Sequence, residues 1–163
     1  MTPAQQSALE TLAGRALLPA DTAALDPLLD WNNRNDQAIA DHLSIGRVAI
    51  RPTLLTDISL IGRLMESHGP QMAESILGKL KAMAGASELV EAARNKLRGV
   101  SGLDFGDASV RAQITALGQI PVGGFTADEV DALLALAVVP DPLSTNAVSD
   151  ALNIAEGRMT LGG

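Results

Sequence analysis

The chain has 163 residues, is 47% apolar but only 2% aromatic, contains no cysteine and carries a net charge of −7. The length suits one ordinary domain, the missing thiols exclude disulfides, thiolate metal sites and a cysteine nucleophile, and the acidic balance argues against coating or specifically recognising nucleic acid. No apolar run approaches the roughly 20 residues of a membrane span, and Met1 leads into a polar helix signal where an export leader would be basic and then apolar, so a protein without membrane contact is expected.

With so few aromatic side chains the core must be built from Ala, Leu, Ile, Val and Met, which suits closely spaced helices. Thr2 before Pro3 places a capping hydroxyl ahead of a first-turn proline, and a helix from about Pro3 to Ala13 follows with Leu9 and Leu12 on one face. The segment from Leu18 to Asp36 carries Pro19, Pro27, Asn32, Asn33 and Asn35, and predicts a short helix around Pro27 to Trp31 stopped by polar turn residues. Residues 1–35 thus form a candidate amino-terminal arm. Trp31, the sole tryptophan, is a candidate contact anchor because it offers large area in an alanine-rich chain.

Asp36 can cap a helix through Leu43. The alternation Arg47-Val-Ala-Ile-Arg51 before Pro52 is the one credible strand signature, to be paired with Val100 to Phe105 or with another subunit. Thr56-Asp57 opens a helix whose stripe is Ile58, Ile61, Leu64 and Met65. Gly69-Pro70 ends it and starts the next, Pro70 to Ala84, with Met72, Ile76, Leu80 and Met83 inward and Lys79 and Lys81 outside. Ser87 caps a helix striped by Leu89, Val90, Ala93 and Leu97, and Gly99 is the expected left-handed stop. In Gly102 to Gly106 the glycines permit a turn while Leu103 and Phe105 plug the core.

Asp107 begins a helix with Val110, Ile114 and Leu117, closed by Gly118. After a Pro/Gly turn, Thr126 and Glu129 form a capping box for a helix carrying Val130, Leu133, Leu134 and Ala137 that stops before Pro140. The two make a helical hairpin. Ser144 caps a last helix with Val148, Ala151 and Leu152, and 154–163 reads as a flexible or docking tail after a single domain at 1–153. The fold class expected is all-α: a compact multi-helix bundle with a carboxyl-terminal helical hairpin, an extended tail and at most one short strand.

Charge is unevenly spread. Between Ala112 and Gly157 there is no Lys or Arg, but Asp128, Glu129, Asp131, Asp141, Asp150 and Glu156 are present; Arg63, Lys79, Lys81, Arg94, Lys96, Arg98 and Arg111 lie earlier. Such a chain can meet a copy of itself head to tail, basic face on acidic face. The candidate contact residues are Trp31, Arg47, Arg51, Arg94, Lys96, Arg98, Asp128 and Asp131.

Catalytic signatures are weak. His42 and His68 stand in no metal-ligand spacing, Asp104-Phe105-Gly106 matches a kinase magnesium tripeptide without the other kinase elements, and no serine lies in a nucleophile elbow. No catalytic residue, metal or cofactor is expected, and neither is an enzymatic role.

The opening Met1-Thr-Pro-Ala-Gln-Gln6 helix, Asp36-Gln-Ala-Ile-Ala-Asp-His-Leu43, Arg47-Val-Ala-Ile-Arg-Pro-Thr53, Arg98-Gly-Val-Ser-Gly-Leu-Asp-Phe-Gly106 and the hairpin through Thr126-Ala-Asp-Glu129 together resemble small Ala-rich proteins of tailed bacteriophages. The resemblance implies a virion structural or morphogenesis protein, of the head-to-tail connector or neck adaptor type. Its implied partners are copies of itself in a ring and other virion proteins such as portal or tail components; it would be made in the host cytoplasm. The chain departs from many such adaptors in lacking a basic lining for DNA. A phage assembly chaperone or scaffold, or a small acidic regulatory binding protein, remains an alternative.

Overall fold

The structure is a computed structural model that describes residues 1–30 and 32–159. In chain order its elements are α1 (Pro3–Ala13), α2 (Pro19–Leu25), a one-turn 3-10 helix (Asp26–Leu29), α3 (Asp36–Ser44), β1 (Val48–Ile50), β2 (Leu54–Leu55), α4 (Asp57–His68), α5 (Pro70–Ala84), α6 (Glu88–Arg98), β3 (Leu103–Asp104), α7 (Ala108–Leu117), α8 (Ala127–Ala135), β4 (Val138–Pro140) and α9 (Thr145–Ala155). The chain is mostly helical, but the described residues hold four short strands where at most one was expected. It divides into two compact units, Met1–Ala49 with Pro140–Gly163, and Ile50–Val139, where the sequence suggested one domain at 1–153.

Most helix starts are set by local capping. The Thr2 hydroxyl accepts from the Gln5 backbone N–H while the Gln5 side chain accepts from the Thr2 N–H, and Thr56, Ser87, Asp107, Thr126 and Ser144 cap their own helices similarly. Asn35, one residue earlier than Asp36, caps α3.

In the first unit α9 packs on α1 and α3. Leu9, Leu25, Ile39, Val148 and Leu152 are fully buried together. Full burial of each such side chain contributes about 1.5–3 kcal/mol, so the segment expected as an amino-terminal arm gives Leu9, Leu25 and Leu29 to a core. The short helix expected around Pro27 is the one-turn 3-10 helix Asp26–Leu29, with Pro27 in its first turn; α2, which the sequence reading did not separate, precedes it, with Pro19 in its first turn and the Asp21 carboxylate accepting from the Leu18 N–H at 2.9 Å. Trp31 lies outside the described residues.

The tail expectation is also corrected as far as Met159. Gly157, with φ of 71°, turns the chain so that its N–H reaches the Ile154 carbonyl and the Arg158 N–H reaches the Asn153 carbonyl at 2.7 Å. That pair of bonds satisfies the last carbonyls of α9 and winds the chain back on the helix end.

In the second unit α5 packs against both α4 and α6, and α7 and α8 form the expected hairpin, which lies within this unit; α9 follows it in the chain and packs in the first unit. Ile76, Leu97, Phe105, Ile114, Phe125 and Leu133 form much of the core. On α4 the buried residues are Leu60 and Leu64, while Ile58 is 84% exposed and Met65 is exposed too. Of the expected stripe Leu64 is buried and Ile61 half-buried, but Leu60 turns inward where Ile58 was expected, because two apolar stripes overlap on this helix. Leu89 of α6 is likewise exposed.

β2 pairs antiparallel with β3, Leu54 opposite Asp104 and Leu55 opposite Leu103. The segment near Val100 to Phe105 thus does hold a strand, but its partner is not β1, which pairs with β4. The sequence had carried the last hairpin helix on towards Pro140; it stops at Ala135, and Val138 and Val139, both β-branched, extend into β4. Gly99 has an ordinary extended backbone, φ −79° and ψ 166°, and is no left-handed stop. Gly106 is required for a different reason: a Cβ there would sit 2.2 Å from the Arg51 carbonyl oxygen.

Candidate functional site

Burial and charge partners create reactive pKa values, which makes the buried ionisable groups the first candidates for chemistry. Glu129, on the first turn of α8, is 3% exposed. Its carboxylate accepts from Lys79 Nζ at 2.6 Å, Ser75 Oγ at 2.5 Å and the Thr126 N–H at 2.7 Å. Burial opposes its charge, but Lys79, Ser75 and the Thr126 amide outweigh that and hold its pKa below the ordinary glutamate value. A carboxylate so saturated with donors is ill-suited to general acid work; it clasps α8 to α5.

Arg34 plays the corresponding part in the first unit. Its guanidinium grips both oxygens of Asp36 at 2.7 and 3.1 Å, the Glu156 carboxylate at 3.0 Å and the Asn153 side-chain oxygen at 2.9 Å. Gln5 donates to the other oxygen of Glu156 at 2.8 Å, so the network joins the starts of α1 and α3 to the end of α9. Desolvation opposes the charge of Arg34, yet Asp36 and Glu156 raise its pKa overall. Nearby, Asp21 accepts from Arg15 at 2.6 Å and contacts His42 Nε2 at 3.0 Å. The Arg15 hydrogen bond, then that of the Leu18 amide, depresses the Asp21 pKa well below the carboxylate range.

His68 contacts Ser67 Oγ at 2.7 Å through Nδ1, but both side chains are exposed and Ser67 already donates to the Arg63 carbonyl. Among the described residues no group of three or more His, Cys, Asp or Glu side chains could hold a metal ion, and no helix is long and apolar enough to cross a membrane.

The candidate contact residues divide into committed and exposed groups. Arg47 donates to the Asp141 carboxylate at 3.0 Å, the Asp141 carbonyl at 3.2 Å and the Leu12 carbonyl at 2.6 Å, so it is a brace inside the first unit and not an open contact. The backbone of Arg51 is anchored, its N–H on the Ala137 carbonyl and its own carbonyl on the Thr53 hydroxyl. Arg94 is half-buried, while Lys96 and Arg98 are exposed along the carboxyl-terminal half of α6. Asp128 and Asp131 are exposed on α8.

Ile58, which the sequence reading assigned to an inward stripe, joins two other exposed apolar residues in a surface beside Arg98. Ile58 and the fully exposed Val100 line one groove with Arg98. Leu54, also exposed, borders a neighbouring groove with Lys96. An apolar group of this kind beside fixed cations is a typical protein contact surface. The sequence hid it because Ile58 fits a helical stripe as well as Leu60 does.

Fold and surface together define a mostly helical chain with internally consumed charge clusters and an exposed apolar and basic patch on its second unit. Compared with known proteins, the chain matches no family model, no curated protein and no solved structure.

Proposed function

We propose that this chain is a non-enzymatic structural protein of a tailed bacteriophage virion, a head-to-tail connector or neck adaptor subunit that assembles with copies of itself into a ring. The observation that carries a contact role is the exposure of Ile58 and Val100 beside Arg98, since the interior satisfies its own buried charges and leaves the apolar side chains of this patch facing solvent. The phage assignment rests on the resemblance of the motifs between Met1 and Glu129. Asp128 and Asp131 supply the acidic counterpart for a head-to-tail contact with Arg94, Lys96 and Arg98 of the next copy.

The test is the solution mass of the purified protein by light scattering, with and without Ile58→Asp and with Arg94 and Arg98 both reversed to Glu. A stable oligomer is expected, lost or weakened in each variant and less salt-sensitive in the charge-reversed one. A monomer at all concentrations would overturn the ring and favour the assembly chaperone or the acidic regulatory module. Co-purification of the protein with intact particles checks the virion assignment.

A further inference from the structure

We infer that the second unit holds a binding pocket for one small, uncharged apolar molecule of about benzene size. The α5–α6 pair and the α7–α8 hairpin line a partly open apolar pocket of about 130 Å³. Its walls come from Leu80 of α5, Val90 and Leu97 of α6, Ile114 of α7, Leu133 of α8, and Phe105 from the loop after β3.

The cavity exists because small side chains stand where large ones could fill the gap: Ala93 on α6 and Ala116 on α7 both line it. A chain that is 2% aromatic has few bulky groups for such a junction. Leu89 and Ala116, both exposed, lie at the way in from solvent.

The lining decides the ligand class. No ionisable side chain contributes to it, and its polar residues are two, Gln113 and Ser87, whose hydroxyl accepts from the Val90 N–H as the cap of α6. Water inside such a space finds too few partners, whereas an apolar guest recovers dispersion contacts that the void forfeits. An apolar cavity of about 150 Å³ lined by Leu, Ile and Phe, cut into another protein, stays dry and takes up benzene or xenon. An anion or cation would lose its hydration and meet no counter-charge.

The inference does not depend on the ring, because it is read from the second unit whatever the solution mass. Benzene is titrated into the full chain, and the methyl resonances of Val90, Ala93, Ile114 and Leu133 are followed by NMR; sodium benzoate is titrated in parallel. Saturable shifts confined to these methyls are expected with benzene, and loss of them in Ala93→Leu, which fills the space. If Ala93→Leu does not fold, Ala93→Val is measured in its place. Absence of a saturable benzene shift, binding undiminished in the filled variant, or benzoate binding as tightly as benzene would overturn the pocket.

Discussion

Replacing Glu129 tests whether a buried clasp holds the second unit together. Glu129→Ala removes an acceptor shared by Lys79, Ser75 and the Thr126 N–H, all within 2.7 Å. The capping bond and the serine bond are each worth about 1 kcal/mol. The lysine contact is charge-assisted, but its side chain is 26% exposed and can rehydrate, so it adds about 1 kcal/mol and not the full cost of a buried orphan charge. The expected loss is therefore about 3 kcal/mol, or about 6–12 °C in Tm for a chain of this size. Glu129→Gln keeps an acceptor of the same shape for the amide and gives up the charge, and should lose about 1 kcal/mol. Urea melts followed by circular dichroism give the free energies, and hydrogen exchange should place the lost protection in α5 and α8. A loss below about 1 kcal/mol in the alanine variant, or equal losses in both, would refute the reasoning.

Arg34→Ala should destabilise the first unit by about 2–3 kcal/mol, because Asp36 and Glu156 lose their shared guanidinium while Glu156 keeps Arg158 and Gln5; hydrogen exchange in α1, α3 and α9 reads it. Gly106→Ala should destabilise by more than an ordinary surface glycine substitution, since its methyl collides with the Arg51 carbonyl, and a thermal melt is sufficient to measure this. Ile58→Ser should stay within about 0.5 kcal/mol of the parent while Leu60→Ala loses about 2–5 kcal/mol, a direct comparison of the two stripes on α4 by urea denaturation. Acid should destabilise both units. Asp21 and Glu129 have folded pKa values depressed below their unfolded values of about 3.9 and 4.3, so their stabilisation is present above that range and is lost as the pH falls through the folded values. Urea midpoints at neutral pH and between about pH 5 and pH 2 should fall, and fall less in Glu129→Gln.

Several surface features were illegible for the same reason as the clasp. Glu129 is visible in the sequence as the carboxylate of a capping box, but its burial follows from Ser75 and Lys79, which are 54 and 50 residues away. Arg47 reads as a strand-edge cation, yet its guanidinium is consumed by Leu12 and Asp141. Ile58 and Leu60 are equivalent to a hydrophobic period, and only the packing of α5 against α4 distinguishes them.

Helix starts are written in short words such as Thr2-Pro3, Ser87 and Thr126 to Glu129, because a cap satisfies a backbone donor two or three residues away and needs nothing else, while at Gly69-Pro70 the first-turn proline starts the helix without a side-chain cap. Composition likewise dictates an aliphatic, alanine-rich helical interior. Which strand β1 joins and that α1 closes on α9 are settled by partners far along the chain, and which side of α4 turns inward by its packing on α5. Those contacts trade loop entropy against apolar burial across the whole chain, a balance that no local spacing records.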